Sequence, residues 1–303
     1  MPSPLYIVGP TASGKSAVAL ALAERIGGEI VNADAFQLYR KLDIVTAKPT
    51  AQERARVPHH LYDVLDPSEN CDAQRYREMA MPLVAEIGAG GRVPIVVGGS
   101  GLYLKALTHG LAELPRGDES LRAQFDGMTL EEKTTWLLQL DPNAGMNVNL
   151  RNPRYVERAL EVCLLTGLPQ SELRQTFGTA QPDARGVFLA WDRTQLYERI
   201  NQRVRSMIEA GLVEEVRRLS HESDLSDTSE KAIGIREVRA FLSGQCTLEA
   251  AIDAMQQATR RYAKRQMTWF RRETWLQTIC LAPETTADST TQMILELFPD
   301  LKP

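Results

Sequence analysis

Leu5-Tyr6-Ile7-Val8-Gly9-Pro10-Thr11-Ala12-Ser13-Gly14-Lys15-Ser16 decides the architecture. The first four residues are an apolar run of strand length. The next eight fit G-x-x-x-x-G-K-[ST], and Val18, Leu22 and Ile26 then recur every four residues as a helical stripe. Strand, glycine loop and helix in that order let backbone N–H groups turn inward around an anion at a positive helix N-terminus. Lys15 would neutralise terminal phosphate oxygens, and the Ser16 hydroxyl would bind Mg²⁺. Ordinary residue frequencies put a chance match in such a chain at about one in a hundred, so an idle glycine turn is the weaker reading. The motif calls for a di- or triphosphate and is silent on which one.

Outward from this loop, Glu29 to Ala33 and Val93 to Val97 read as further buried strands separated by helical patterns. That alternation predicts an α/β fold: a P-loop NTPase-like parallel sheet flanked by helices. From 112 to 185 strand-like runs vanish, and Pro115, Gly117, Gly127, Pro142, Gly167 and Pro169 punctuate helical stretches, as in a helical insertion domain. Gly186 to Trp191 returns to the sheet. A helix striped by Leu196, Ile200, Val204 and Ile208 follows, broken at Gly211, and then a second with Val213, Val216 and Leu219. The core is therefore expected over 1–111 and 186–282, with RNA-binding helices at its C-terminal end, and 283–303 forms a tail without a recognisable element. The polar stretch 221–229 reads as a mobile loop.

The chain has 303 residues, 43% hydrophobic and 24% charged, which excludes a mostly disordered protein. No apolar run reaches membrane-spanning length and the start resembles no signal peptide, so the expectation is a cytoplasmic protein without a membrane partner. Cys71, Cys163, Cys246 and Cys280 lack metal-ligand spacing and read as buried thiols of a reducing compartment. The net charge of −4 argues against a uniformly basic nucleic-acid binder. A local basic face is another matter. Residues 259–272 hold six arginines and lysines and no acid, and Arg261, Lys264, Arg265, Thr268 and Arg272 share one helical face.

A P-loop ATPase also needs a metal-binding Asp at a strand end. Val187 to Asp192 is the nearest match, whereas the strand at Val93 ends in Gly98-Gly99-Ser100 without an acid. Ordinary nucleotide hydrolysis is thus poorly supported. Asp34, at the carboxyl end of the second strand, should face the ligand crevice. There it could hold Mg²⁺ through water, accept a proton, or simply cap the following segment.

Several further blocks resemble the tRNA dimethylallyltransferase family. They are Asn32-Ala33-Asp34 with Gln37 and Tyr39, Asp43 to Pro49, Pro58 to Leu61 with Asp66-Pro67, Gly98 to Tyr103, Arg158 to Val162, and Thr259 to Arg271. The resemblance runs in order from about residue 5 to 276. It implies transfer of a dimethylallyl group from its pyrophosphate to N6 of the adenosine just 3′ of the anticodon in tRNA, with Mg²⁺. The P-loop residues Gly9, Pro10, Thr11, Ala12, Ser13, Gly14, Lys15 and Ser16 would then grip the donor pyrophosphate, with Ser16 on the metal. Arg193 and Arg199 match family arginines near that group. Asp34 matches the general base, and Ser100 stands where Thr is usual. Family tRNA contacts match Asp34, Ala35, Phe36 and Gln37, Ser100, Arg122, the run Arg154, Tyr155, Val156, Glu157 and Arg158, and the run Lys231, Ala232, Ile233, Gly234, Ile235 and Arg236. The basic face adds Arg261, Lys264 and Arg265.

The chain departs from the pattern at Ala35, where Ser is usual, at Val45, where Gly is usual and a different turn is expected, and at Tyr155, where Arg is typical. It lacks the C-terminal zinc finger of eukaryotic members. The partners expected are tRNA and dimethylallyl pyrophosphate, acting on a monomer. Other readings are an isopentenyltransferase acting on free adenine nucleotides, a P-loop small-molecule kinase, and an RNA-binding protein switched by nucleotide.

Overall fold

The computed structural model describes residues 2–111, 114–115, 117–174, 184–222 and 224–301. Six strands, β1 (Leu5–Val8), β2 (Glu29–Asn32), β3 (His59–His60), β4 (Pro94–Gly98), β5 (Arg185–Trp191) and β6 (Leu276–Leu281), pair in the order β3-β2-β4-β1-β5-β6. Every pairing is parallel. β1, β2 and β4 are buried along their whole length, as a sheet covered on both faces requires. β1 is central, with β4 on one side and β5 on the other. Chain direction through the sheet reverses at β1, which opens a crevice beyond the carboxyl ends of the strands. The P-loop, Asp34, Ser100 and Trp191 all follow those ends.

Two compact units divide the chain, 1–108 with 183–303 and 109–182. The second is helical around its own core of Phe125, Leu137, Val156, Leu160 and Cys163. Beneath that core the buried Glu161 carboxylate takes Arg122 Nε at 2.6 Å and Arg158 Nη1 at 3.0 Å.

Three expectations change. The tail is not featureless. Ala287–Leu297 is a helix started by a Thr286–Ser289 capping box, and it packs on the P-loop helix Lys15–Ile26, where Thr291 Oγ1 donates to Val18 O at 3.5 Å. The polar stretch 221–229 is not a mobile loop over its described residues. It starts as the end of helix Leu212–Glu222, and further on Ser226 N and Ser229 Oγ donate to Pro67 O at 2.9 and 2.6 Å. The Ser226 and Ser229 hydroxyls are buried hydrogen-bonding groups rather than solvated ones. Of the four free thiols, Cys71 and Cys163 are buried, but Cys246 is half-buried and Cys280 is exposed on edge strand β6. Among the described residues no helix is long and apolar enough to cross a membrane.

Candidate active site

The P-loop is bent by two left-handed residues, Ala12 (φ 64°) and Gly14 (φ 89°). A side chain at Gly9 would lie 2.7 Å from Ser13 Oγ and 3.0 Å from Leu189 O, so only glycine fits between loop and β5. The loop is held from behind. Trp191 Nε1 donates to Ser13 O at 3.0 Å, and Arg199 Nε donates to Ala12 O at 2.9 Å with its guanidinium 4.3 Å from the Trp191 ring centroid. Thr11 N donates to Gln266 Oε1 at 2.9 Å, while Gln266 Nε2 donates to Gly99 O at 2.9 Å. The N–H groups of Gly14, Lys15 and Ser16 have no acceptor among the described residues. They are the open donors of a helix N-terminus, the feature that binds anions.

In front of the loop lies a cavity open to solvent. Its charged end holds Lys15, Asp34 and Arg203 beside Thr11 and Ser16, and an apolar wall of Val45, Ile200, Val204, Met207, Ile233 and Met255 continues from it. Burial lowers the Lys15 ammonium to about 8, partly offset by the Asp34 charge and reinforced by Arg203. Burial also lowers Arg203, again against the attraction of Asp34. Tyr62 and Tyr262 are both pushed up by burial and then by Asp34, so their hydroxyls stay protonated donors.

Asp34 is set by its neighbours. Its N–H donates to Asn32 Oδ1 at 2.9 Å, and its Oδ1 accepts from Phe36 N at 3.0 Å. That second bond is the cap-like role the sequence allowed, and it leaves Oδ2 available. Ser100 Oγ accepts from Ala35 N at 3.0 Å, and Ser100 N donates to Ala33 O at 3.3 Å. The Ser100 hydroxyl therefore steadies the peptide after Asp34, and its side chain also hydrogen-bonds Tyr262. Gln37 is buried and lines the cavity with Phe36, and its Nε2 donates to Thr46 O and Ala47 O at 3.0 and 3.2 Å.

The loop 42–48 that supplies Val45 and Thr46 is clamped from two sides. Buried Glu215 accepts the N–H groups of Asp43, Ile44 and Val45 at 3.1, 2.8 and 2.9 Å. Buried Lys48 donates to Tyr39 O at 2.7 Å and Asp43 Oδ1 at 2.6 Å, and also pairs with Asp63. The left-handed turn residue here is Ala47 (φ 46°), not Val45, so the valine needs no unusual backbone.

The two expected arginines part company: Arg199 lies against the P-loop and Arg193 does not. Arg193 is exposed, donates from Nε to Tyr197 OH at 3.1 Å, and does not line the cavity. Arg199 supports the loop from behind. Arg203, one helical turn on from Arg199 along helix Arg193–Glu209, supplies the cavity's second cation, and sequence reasoning missed it; its i+4 spacing from Arg199 was the available signal. Asp192, the nearest match to a metal-binding acid, accepts from Thr194 N and Gln195 N as that helix's N-cap.

Residues 37–273 match the model of the IPP transferase family. The chain belongs to this family. A tRNA dimethylallyltransferase of Citrifermentans bemidjiense is 46% identical over 283 residues, 90% of this chain and 91% of that one. One from Akkermansia muciniphila is 41% identical over 96% and 98% of the two chains. Among solved structures, the full-length tRNA isopentenylpyrophosphate transferase of Bacillus halodurans superposes with a TM-score of 0.73 at 36% identity, covering 99% of this chain and 97% of that one. A eukaryotic dimethylallyltransferase acting on tRNA gives 0.87 at 25% identity over 100% and 81%.

The residues matched to RNA contacts divide sharply by exposure in this IPP transferase. On helix Leu248–Phe270, Arg261, Lys264 and Arg265 are exposed, and none pairs with a carboxylate among the described residues. Phe270 is core against Phe188, at 5.7 Å. In the run 231–236 only Lys231 and Arg236 are exposed. Ile235 is fully buried, Ala232 and Ile233 face the cavity, and Gly234 (φ 120°) is a buried helix cap. In the insertion Arg154 and Tyr155 are exposed, but Val156 is core and Glu157 pairs with Lys133 at 2.7 Å. Arg122 and Arg158 are bound to Glu161, with Arg158 Nη2 also on Pro115 O at 2.6 Å. Those two arginines hold the insertion together, because a buried carboxylate needs its cations.

Proposed function

We propose that this protein transfers a dimethylallyl group from dimethylallyl pyrophosphate to N6 of the adenosine 3′-adjacent to the anticodon of tRNA, acting as a cytoplasmic monomer with Mg²⁺. One observation carries the reading: Asp34 shares a single cavity with the P-loop cations and with an apolar wall. A kinase needs the first two and has no use for the third.

The donor's pyrophosphate sits on the open amides of Gly14, Lys15 and Ser16, with Lys15 and Arg203 beside it. Its hydrocarbon lies along Ile200, Val204 and Val45. The acceptor adenosine leaves its stack to enter, and the exposed cationic face of helix Leu248–Phe270 follows the RNA backbone. The exocyclic amine is a weak nucleophile because its lone pair is delocalised. As its nitrogen bonds to C1 of the allyl group, the C1–O bond breaks, the electron pair leaves with pyrophosphate, and the amine proton passes to the Asp34 carboxylate. Negative charge grows on the leaving group, where Lys15, Arg203 and the loop amides already point. The Tyr262 hydroxyl, which lines the cavity, donates to the base or the leaving oxygen, and Ser100 supports it from behind.

The residues present suit Mg²⁺. Ser16 is exposed at the loop and its hydroxyl has no partner among the described residues, Ser13 Oγ is buried without one, and Asp34 adds a nearby carboxylate. Hard oxygen donors in small number, completed by water and phosphate, are what this ion takes. When bound it neutralises charge on the pyrophosphate.

The test incubates the protein with radiolabelled dimethylallyl pyrophosphate, Mg²⁺ and either unmodified tRNA or AMP. Label in tRNA alone is expected. Label in AMP alone, or none with either acceptor, refutes the proposal.

A further inference from the structure

The apolar end of the cavity is closed by particular side chains, and their placement follows from the two helices that wall it. Arg199 anchors helix Arg193–Glu209 to the P-loop, Arg203 reaches the charged end, and Met207 lies one turn beyond, about 6 Å further along the axis. The long helix Leu248–Phe270 behaves in the same way. Gln266 is bonded at the P-loop, Tyr262 and Thr259 line the cavity in turn, and Met255 follows, roughly 16 Å from Gln266 along the axis. Both helices therefore end their cavity-lining series in a methionine on the side away from the anion cradle.

Val45 lines the same cavity, and it comes close to Met255. A Cβ built on Gly234 would lie 2.9 Å from Val45 Cγ2, 3.0 Å from Met255 Cε and 3.8 Å from Leu212 Cδ2, so the valine and methionine side chains converge over the glycine backbone. Val45 cannot swing aside. Its N–H is held by Glu215, and Thr46 and Ala47 are held through their carbonyls by Gln37. The wall is thus rigid at Val45 and softer at the two unbranched methionines.

We infer that Val45, Met207 and Met255 are specificity-determining residues whose side chains end the donor pocket after one five-carbon unit and so exclude longer allylic pyrophosphates. The inference rests on the proposed donor site. A longer chain entering with its pyrophosphate on the P-loop would need space along the wall that Val45, Met207 and Met255 fill. Opening that space requires removing side-chain volume, not adding an interaction.

The experiment compares Val45→Ala and Met255→Ala with the parent protein, using dimethylallyl and geranyl pyrophosphates with unmodified tRNA. Parent turnover of dimethylallyl pyrophosphate checks the donor site itself, independently of the inference. With that in place, each variant should raise the geranyl-to-dimethylallyl ratio of kcat/KM by roughly tenfold or more, the scale set by one or two methylene groups in an apolar pocket. Thermal unfolding of each variant separates a misfolded protein from a folded one. Should one substitution unfold the chain, the other and Met207→Ala still report. Folded variants with an unchanged ratio, or with a raised KM for tRNA and no change in donor choice, overturn the inference, because the wall would then bound the adenine and not the prenyl chain.

Discussion

Glu215 offers a quantitative test of how the cavity is held. Its carboxylate is buried and accepts three consecutive N–H groups at 2.8 to 3.1 Å. Glu215→Ala leaves the amides of Ile44 and Val45 without an acceptor, while the exposed Asp43 can recruit water. An unsatisfied buried donor costs about 1–3 kcal/mol, in full for buried Val45 and in part for half-buried Ile44, so the two cost about 2–5 kcal/mol. Part is returned. Burial raises the Glu215 pKa despite the three hydrogen bonds, so the charged form is itself held at a cost. A net loss of about 2–4 kcal/mol is expected in urea unfolding, read from the midpoint at constant slope. The loop carries Val45 and Thr46 into the cavity, and Thr46 O accepts from Gln37 and, at 3.5 Å, from Arg203 Nη2. A loosening worth only ~1.4 kcal/mol therefore raises the donor KM about tenfold. Glu215→Gln keeps one acceptor oxygen and should fall between parent and Ala in both readouts. A Glu215→Ala protein with stability within about 0.5 kcal/mol of the parent and an unchanged donor KM would refute the clamp.

Asp34→Asn should lower single-turnover chemistry by about 10²–10⁴-fold, the usual worth of a general base, while filter-binding affinity for tRNA stays within a few-fold; loss of binding with normal chemistry would contradict the assignment. Lys15 is lowered to about 8 in the free protein. It is charged below that pH and neutral above it, so pyrophosphate affinity by calorimetry should be flat below about 8 and fall by up to about tenfold per pH unit above it. Lys15→Arg should remove that inflection. Arg261→Glu with Arg265→Glu should weaken tRNA binding and reduce the slope of log affinity against log salt by about 1–2, since each phosphate contact contributes nearly one unit; an unchanged slope would place the RNA elsewhere.

What could be read from the chain was what local sequence encodes. The glycine loop, its strand and its helix lie within 22 residues of one another, and Asp34 announces itself by ending an apolar run. Arg261, Lys264 and Arg265 were legible because a helix turns spacing into a face. What escaped was held by distant partners. Glu215 meets its amides across about 170 residues, and Gln266 meets Thr11 across 255, with no periodicity to mark either. The family match offered Arg122 and Arg158 as RNA contacts and gave no sign of their bond to Glu161; the acid three residues on from Arg158 was the local signal for that pairing. β3 is two residues long, below any pattern, and β6 follows a basic helix that drew attention away from Leu276 to Leu281.

One amide has a wider consequence. Gln266 grips Thr11 with its oxygen and Gly99 with its nitrogen, and it sits one residue past Arg265 on the helix that carries the cationic face. The separation between the cationic face and the P-loop is therefore fixed like the jaws of a calliper. Any drift of that helix would shift the cationic face and strain the P-loop together, so under the proposed function one neutral side chain governs how accurately the two substrates meet.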